Sequence, residues 1–401
     1  MPLAHPRPAR FLAVAFVLSL SACSQSDSAN ITSPRTTPPT TQPATTQPAT
    51  TPSTTVRPTT VPVSSSTTRP AAARSADELA GARVVCSYDG PDVPDDLLTR
   101  LRQGKAAGVL WYGENLPDVA TAARNATAVQ NAARAAPDPA PAIVATDQEG
   151  GAIRRIPGPP EASAQTLGAQ GTVVIHDQAK AAALALLPWG VNVDLAPVAD
   201  IGHTGSFEAA QQRSFGTDPT SVGADVVAFV RGLHDGGVAA TLKHFPGLGA
   251  ATTNTDVASS VIDVSAATLR ATDIPPFSAG IGAAADLVMV SSAQYPALDS
   301  VPAVVSRAIA HDLLRNQLNF TGVIVSDAFD TDAVAAVGPI GTAAIAAANA
   351  GVDLFISRHA PPCAQIQEAL AAAITDGRIP RADAEASYER IMKLRRGLIA
   401  G

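Results

Sequence analysis

The octapeptide Leu242-Lys243-His244-Phe245-Pro246-Gly247-Leu248-Gly249 changes character halfway along. The apolar run Val238 to Leu242 leads into a cation, an imidazole and then a Pro/Gly turn. A parallel strand covered on both faces reads in this way when it emerges at a functional rim, apolar while buried and polar at its end. The plainer alternative is that Lys243 and His244 are ordinary polar residues leaving a strand, and the surrounding chain has to choose between the two.

Working outward, short apolar runs recur at Arg83–Tyr88, Val109–Tyr112, Ala142–Thr146, Val191–Ala196, Val238–Leu242, Leu287–Ser291, Val323–Ser326 and Val352–Ile356. Helical patterns lie between most of them: Ala120–Ala136, Ser221–Gly236, Ser306–Gln317 and Ile340–Ala350, with Asp383–Leu398 closing the chain. Continuous apolar strands alternating with helices predict a parallel α/β sheet, and eight of them predict one (β/α)8 TIM-type barrel over residues 76–401. No G-x-G-x-x-G follows the first strand, so a dinucleotide fold loses support. Polar residues gather where strands end: Asp147-Gln148-Glu149-Gly150-Gly151, Asp194 with Asp200, Lys243-His244, Ser291-Ser292 and Ser326-Asp327. Each could cap the next helix, as Asp218 and Ser306 are expected to. Five in register predict a cleft on the C-terminal face.

The chain opens with a basic segment bearing His5, Arg7 and Arg10, an apolar core from Phe11 to Leu20, then Leu20-Ser21-Ala22-Cys23. This is the pattern of a signal peptide over residues 1–22, with a core too short to span a bilayer. A cysteine at the cut resembles the lipobox of bacterial lipoproteins, which would make Cys23 the lipidated first residue and anchor the protein to a membrane. Residues 23–75 are dominated by Thr, Pro and Ser, with Gln42-Pro43-Ala44-Thr45-Thr46 repeated at once. Such a segment cannot bury a core and is expected to be a disordered, extended tether. The protein is therefore expected to be exported, on the extracytoplasmic face of the cell membrane. Cys86 and Cys363 would lie at the two ends of a closed barrel, whose first and last strands are neighbours, and are expected to pair. A formal net charge of -7 argues against a nucleic-acid partner. The basic run Lys393-Leu394-Arg395-Arg396 sits at a helix end, where cations favour the dipole. A monomer is the expected state.

Asp147-Gln148-Glu149-Gly150-Gly151, Ala196-Pro197-Val198-Ala199-Asp200, Arg213-Ser214-Phe215-Gly216-Thr217-Asp218-Pro219, Lys243-His244-Phe245-Pro246-Gly247 and Val325-Ser326-Asp327 occur in that order. Together they resemble the barrel domain of glycoside hydrolase family 3, nearest to single-domain β-N-acetylglucosaminidases (β-hexosaminidases) that trim peptidoglycan fragments. The resemblance implies a retaining hydrolase with a carbohydrate substrate, and no metal or other cofactor. It implies that Asp327 is the nucleophile, and that Asp147, Arg213, Lys243 and His244 hold sugar hydroxyls.

The chain also departs from the family's pattern. After K-H-F-P-G the family reads H-G, four residues, then D-S-H, whose histidine is the general acid/base held by its aspartate. Here Leu248-Gly249 and four residues precede Asn254-Thr255-Asp256, while Ser292 and Ala328 replace a rim histidine and the second aspartate of S-D-D. Three readings stay open. Asp256 is itself the acid/base; or Glu149, Asp200 or Glu208 reaches in; or the barrel binds a glycan without cleaving it. The reading carried forward is a lipid-anchored hydrolase removing terminal β-linked N-acetylglucosamine from cell-wall fragments, with β-glucosidase-like specificity as the alternative substrate class.

Overall fold

A computed structural model of the protein describes residues 74–400. Cys23, the signal-peptide segment 1–22 and nearly all of the 23–75 tether lie outside the described residues. The capped helix Ala76–Gly81 leads into a closed barrel of parallel strands. These are β1 (Val84–Cys86), β2 (Gly108–Leu110), β3 (Ile143–Thr146), β4 (Val193–Asp194), β5 (Ala239–Phe245), β6 (Leu287–Val290), β7 (Val323–Ala328) and β8 (Leu354–Ser357). Each pairs with its neighbour in sequence, and β8 closes on β1 through Val84 opposite Phe355 and Cys86 opposite Ser357. All eight expected strands are present.

Alternation along the strands builds two cores. Val85, Ile143, Ala145, Val193, Leu195, Ala239, Met289, Val325, Leu354 and Ile356 fill one apolar cluster. Their neighbours Val84, Val144, Ala240, Val288, Ile324 and Phe355 belong to a second, larger one with the helices. Period-two alternation on a closed sheet produces this division into a barrel interior and a strand–helix layer.

The expected helices are found at Val119–Arg134, Pro219–Asp235, Ile340–Ala350 and Arg381–Gly397, and Ala308–Gln317 takes a wider, π-type winding. The helices Thr172–Leu186 and Ala360–Thr375 and a hairpin pairing Gln148–Gly150 with Ile153–Arg154 complete what the apolar pattern did not mark. Asp218 caps its helix by accepting from the Ser221 N–H. Arg395 is buried and donates to the carbonyls of Ala140 and Pro141, so part of the basic C-terminal run pins the last helix to the barrel's lower end. Cys86 is disulfide-bonded to Cys363, with their Cα atoms 5.7 Å apart. No described helix is long and apolar enough to cross a membrane.

Candidate active site

β5 is the longest strand, and it carries Lys243 and His244 up to the rim through a fully buried stretch. Gly247 then turns at φ 132°, a conformation that disfavours a side chain. At Gly249 the chain passes so close to the Ile201 carbonyl that an added Cβ would collide with it. The turn opens onto a cleft of about 250 Å³ lined by Tyr112, Asp147, Glu149, Arg155, Glu208, Arg213, Lys243, His244, Leu248, Asp256, Met289 and Asp327. Two larger hollows, about 640 and 770 Å³, lie on the helical flank and at the barrel's lower end. Neither is lined by a pair of carboxylates, so their size does not make them the reactive site.

Buried charges floor the cleft. Lys243 Nζ lies 2.6 Å from Asp147 Oδ1 and 2.6 Å from Glu149 Oε1. Arg213 donates to both oxygens of Glu149, at 2.7 and 2.8 Å, and from Nη1 to Glu208 Oε1 at 2.8 Å. Burial alone would raise the Asp147 and Glu149 carboxyls, but the facing cations hold both below the ordinary range, Glu149 far below it. Lys243 and Arg213 are held firmly charged by the same partners against the cost of their own burial. Glu149 therefore has no proton to give near neutral pH. That removes it as an acid.

Asp200 is likewise engaged. Its carboxylate accepts from the backbone N–H groups of His244 and Leu248, and lies 2.7 Å from His244 Nδ1. It is fully buried and does not line the cleft; its work is to fasten the β5 turn. Burial lowers His244, but Asp200 more than offsets this and raises it overall. Among the described residues, Asp200, Glu208 and His244 also offer ligand atoms within 4.8 Å of one another. Two of the three already bond to each other.

The remaining rim residues divide. Asp147, Lys243, His244 and Asp327 line the cleft, whereas Asp194, Ser291, Ser292 and Ser326 do not. Asp194 lies between the inward-facing Val193 and Leu195, so alternation turns it away from the barrel interior. It accepts from the Gln148 N–H with Oδ1, leaves Oδ2 without a partner, and is pushed up to about 8 by burial. Five polar strand ends thus yield fewer cleft-facing groups than the alignment of strand termini implies.

Asp327 is part-exposed and accepts from the Ala328 N–H at 2.7 Å. Asp256 is part-exposed in the loop beyond β5, where its backbone N–H donates to Asn254 Oδ1 at 2.9 Å. Burial first, then the charge of Asp327, raises the Asp256 carboxyl above its ordinary value. Glu208 is also raised, by burial, and its Oε2 is buried without a partner. Arg155, not anticipated from sequence, places Nη2 at 3.5 Å from Asp147 Oδ2 and its guanidinium 5.7 Å from the Tyr112 ring. The signal for it was present. Gly150 and Gly151 take φ 106° and 56° to reverse the chain, so an Asp147 side chain at one end of that hairpin meets an arginine at the other.

A cleft that sets buried ion pairs beside two part-exposed carboxyls at a barrel rim is suited to glycosidase chemistry. Residues 87–394 match the family model described as "Glycosyl hydrolase family 3 N terminal domain". An uncharacterized secreted glycosyl hydrolase of Arthroderma benhamiae is 35% identical over 344 residues, 84% of this chain and 98% of that protein. The β-hexosaminidase of Stenotrophomonas maltophilia strain K279a is 34% identical over 271 residues, 65% of this chain and 78% of its own. The crystal structure of a β-N-acetylhexosaminidase from Beutenbergia cavernae superposes with a TM-score of 0.73 at 31% identity, covering 80% of this chain and 98% of that one. The chain belongs to glycoside hydrolase family 3, and it is a glycosidase.

Proposed function

We propose that this protein is an exported, lipid-anchored retaining glycosidase that removes terminal β-linked N-acetylglucosamine from cell-wall fragments. The observation that carries the catalytic part is the Asp256–Asp327 pair. Two carboxyls share one cleft, and one of them is raised by burial and by the other's charge. That asymmetry is what acid and nucleophile need from one another. Asp327, ionised, attacks the anomeric carbon as Asp256 passes its proton to the bridging oxygen, so the glycosidic bond breaks and the leaving alcohol departs neutral. Asp256, now charged, takes a proton from water; the resulting hydroxide displaces Asp327 from the sugar and restores both groups. Asp147 and Glu149 accept from sugar hydroxyls, while Lys243, Arg213, Arg155 and the free edge of His244 donate.

The β-hexosaminidase names of the relatives favour an N-acetylhexosaminide. The relative described as secreted, together with the 1–22 segment and Cys23, favours export and an anchor. Glu208 is the second candidate acid, favoured by its free buried Oε2. Turnover of an aryl β-N-acetylglucosaminide tests the reading, with Asp327→Ala expected to abolish it. With Asp256→Ala, a disaccharide should lose about 10²–10⁴-fold, the contribution of a general acid. An activated aryl glycoside should lose far less, because its leaving group needs little protonation. Equal losses would remove Asp256 from the acid role, and a matching pattern in Glu208→Gln would install Glu208 there. Absence of turnover across aryl glycosides would leave a glycan-binding protein.

A further inference from the structure

Two buried side chains of the cleft each keep one polar atom unused, and they stand together. Glu208 is 1% exposed; its Oε1 accepts from Arg213 Nη1 at 2.8 Å, and its Oε2 is buried without a partner. Buried carboxylate oxygens are rarely left in that state, because each then bears the full cost of its desolvation. His244 places Nδ1 at 2.7 Å from Asp200 Oδ2, and among the described residues nothing bonds to its Nε2. Glu208 and His244 both line the cleft, whereas Asp200 is sealed from it. The ligand atoms of the three residues, one from each, all lie within 4.8 Å of one another. Asp200 faces no arginine or lysine: its one ion-pair partner among the described residues is His244.

A carboxylate held against one ring nitrogen fixes the imidazole and leaves the other nitrogen to ligate, the arrangement that orients a histidine on a metal. Donors on one zinc ion lie about 3.4 Å apart, from bonds of about 2.0–2.2 Å at a tetrahedral angle. A spread of no more than 4.8 Å therefore asks for a shift of about 1.4 Å at most, and the unattached Glu208 Oε2 is free to make it. Imidazole beside carboxylate suits zinc and its late first-row neighbours, whereas magnesium and calcium prefer oxygen alone.

We infer that Glu208 and His244 form a site for a divalent transition-metal ion such as zinc, backed by Asp200 and open to the cleft for its remaining water ligands. The ion takes the place of a proton on Nε2 and is an inhibitor, not a cofactor of hydrolysis. It covers the ring edge that was assigned to a sugar hydroxyl, so metal and sugar exclude one another; this second part rests on that assignment. The competing account is a network of charges that only positions Arg213.

The test is a calorimetric titration of the untagged full chain with zinc chloride near neutral pH. Glu208→Gln keeps an oxygen for Arg213, and His244→Asn keeps a nitrogen for Asp200. Each should weaken zinc by more than the roughly 10–100-fold that loss of an outer partner costs. Calcium chloride should bind far more weakly than zinc. Zinc affinity that is unchanged in either variant overturns the site, as does calcium bound as tightly as zinc. If neither variant folds, X-ray absorption at the zinc edge of the wild type decides, and a coordination shell of oxygen alone refutes the histidine. Zinc should also raise KM for an aryl β-N-acetylglucosaminide with kcat unchanged, and a chelator should reverse the rise. A KM unmoved by saturating zinc refutes the overlap with the sugar. If no glycoside is turned over, the hydrolase reading has failed separately. Titration of N-acetylglucosamine with and without zinc then judges the overlap, and equal sugar affinities refute it.

Discussion

Asp194→Asn isolates one buried proton. The Asp194 carboxyl is fully buried, accepts one backbone N–H and is pushed up to about 8 by desolvation. An unfolded aspartate titrates near 3.9. Below about pH 4 both states hold the proton and the native state has its full stability. Between about pH 4 and pH 8 only the folded state holds it, so stability is lost as pH rises, and above that both have released it. The slope in that window is about 1.4 kcal/mol per pH unit, or about 3 kcal/mol from pH 5 to pH 7. Asparagine has the same shape, keeps an oxygen for the Gln148 N–H and never ionises. Thermal unfolding of parent and variant, measured side by side, should show a gap in the variant's favour that widens by about 6 °C between pH 5 and pH 7 at roughly 2 °C per kcal/mol. Other groups titrate in both proteins and cancel. A gap that stays constant over that range would mean that the carboxyl is ionised in the native protein, and the reasoning would be wrong.

Lys243→Met leaves Asp147 and Glu149 beside one another with only arginines to compensate, and breaking a buried ion pair from one side costs about 3–5 kcal/mol. Urea unfolding should register that loss, and KM for an aryl glycoside should rise with it. Replacing Cys86 and Cys363 together by serine removes a cross-link spanning 277 residues of sequence. A fall in unfolding free energy of roughly 3–5 kcal/mol is expected, with kcat nearly unchanged because neither sulfur lines the cleft.

The barrel was legible because its strands are buried on both faces: runs such as Leu287–Val290 leave no polar residue to confuse the period. The helix Thr172–Leu186 was hidden by the opposite circumstance. Its alanines pack on Pro219–Asp235 through small residues and leave Val173 and Leu184 exposed, so the apolar stripe is weak. Of the site, Asp147, Lys243, His244 and Asp327 could be placed by counting from strand ends. Asp194 and Asp200 could not, because a carboxylate at a rim looks the same in sequence whether it faces substrate or fastens a loop. Alternation would have separated Asp194, since Val193 and Leu195 claim the interior. Asp200 needed the fold, for its partners are backbone N–H groups 44 and 48 residues later.

Those backbone partners also explain how the loop after β5 keeps its length while its chemistry changes. Leu248 meets Asp200 through its N–H, which every residue but proline supplies, so this bond does not call for a histidine there. Asn254 holds the turn through Oδ1 on the Asp256 N–H, and an aspartate could do the same. The difference lies in charge. With a carboxyl at position 256, already raised by burial and by Asp327, a second carboxylate two residues away would raise it further, whereas the Asn254 amide pulls it down through a side-chain hydrogen bond. Asn254 and Asp256 are thus matched to one another. In Asn254→Asp the turn should persist while Asp256 holds its proton to higher pH. A carboxylic acid donates only while protonated, so kcat/KM for a disaccharide falls as pH rises through its pKa. That basic limb should move upward in Asn254→Asp, and it should be missing from the activated aryl glycoside in both proteins. A limb at the same pH in parent and variant would show that the proton comes from elsewhere, and Glu208 would be the group to examine next.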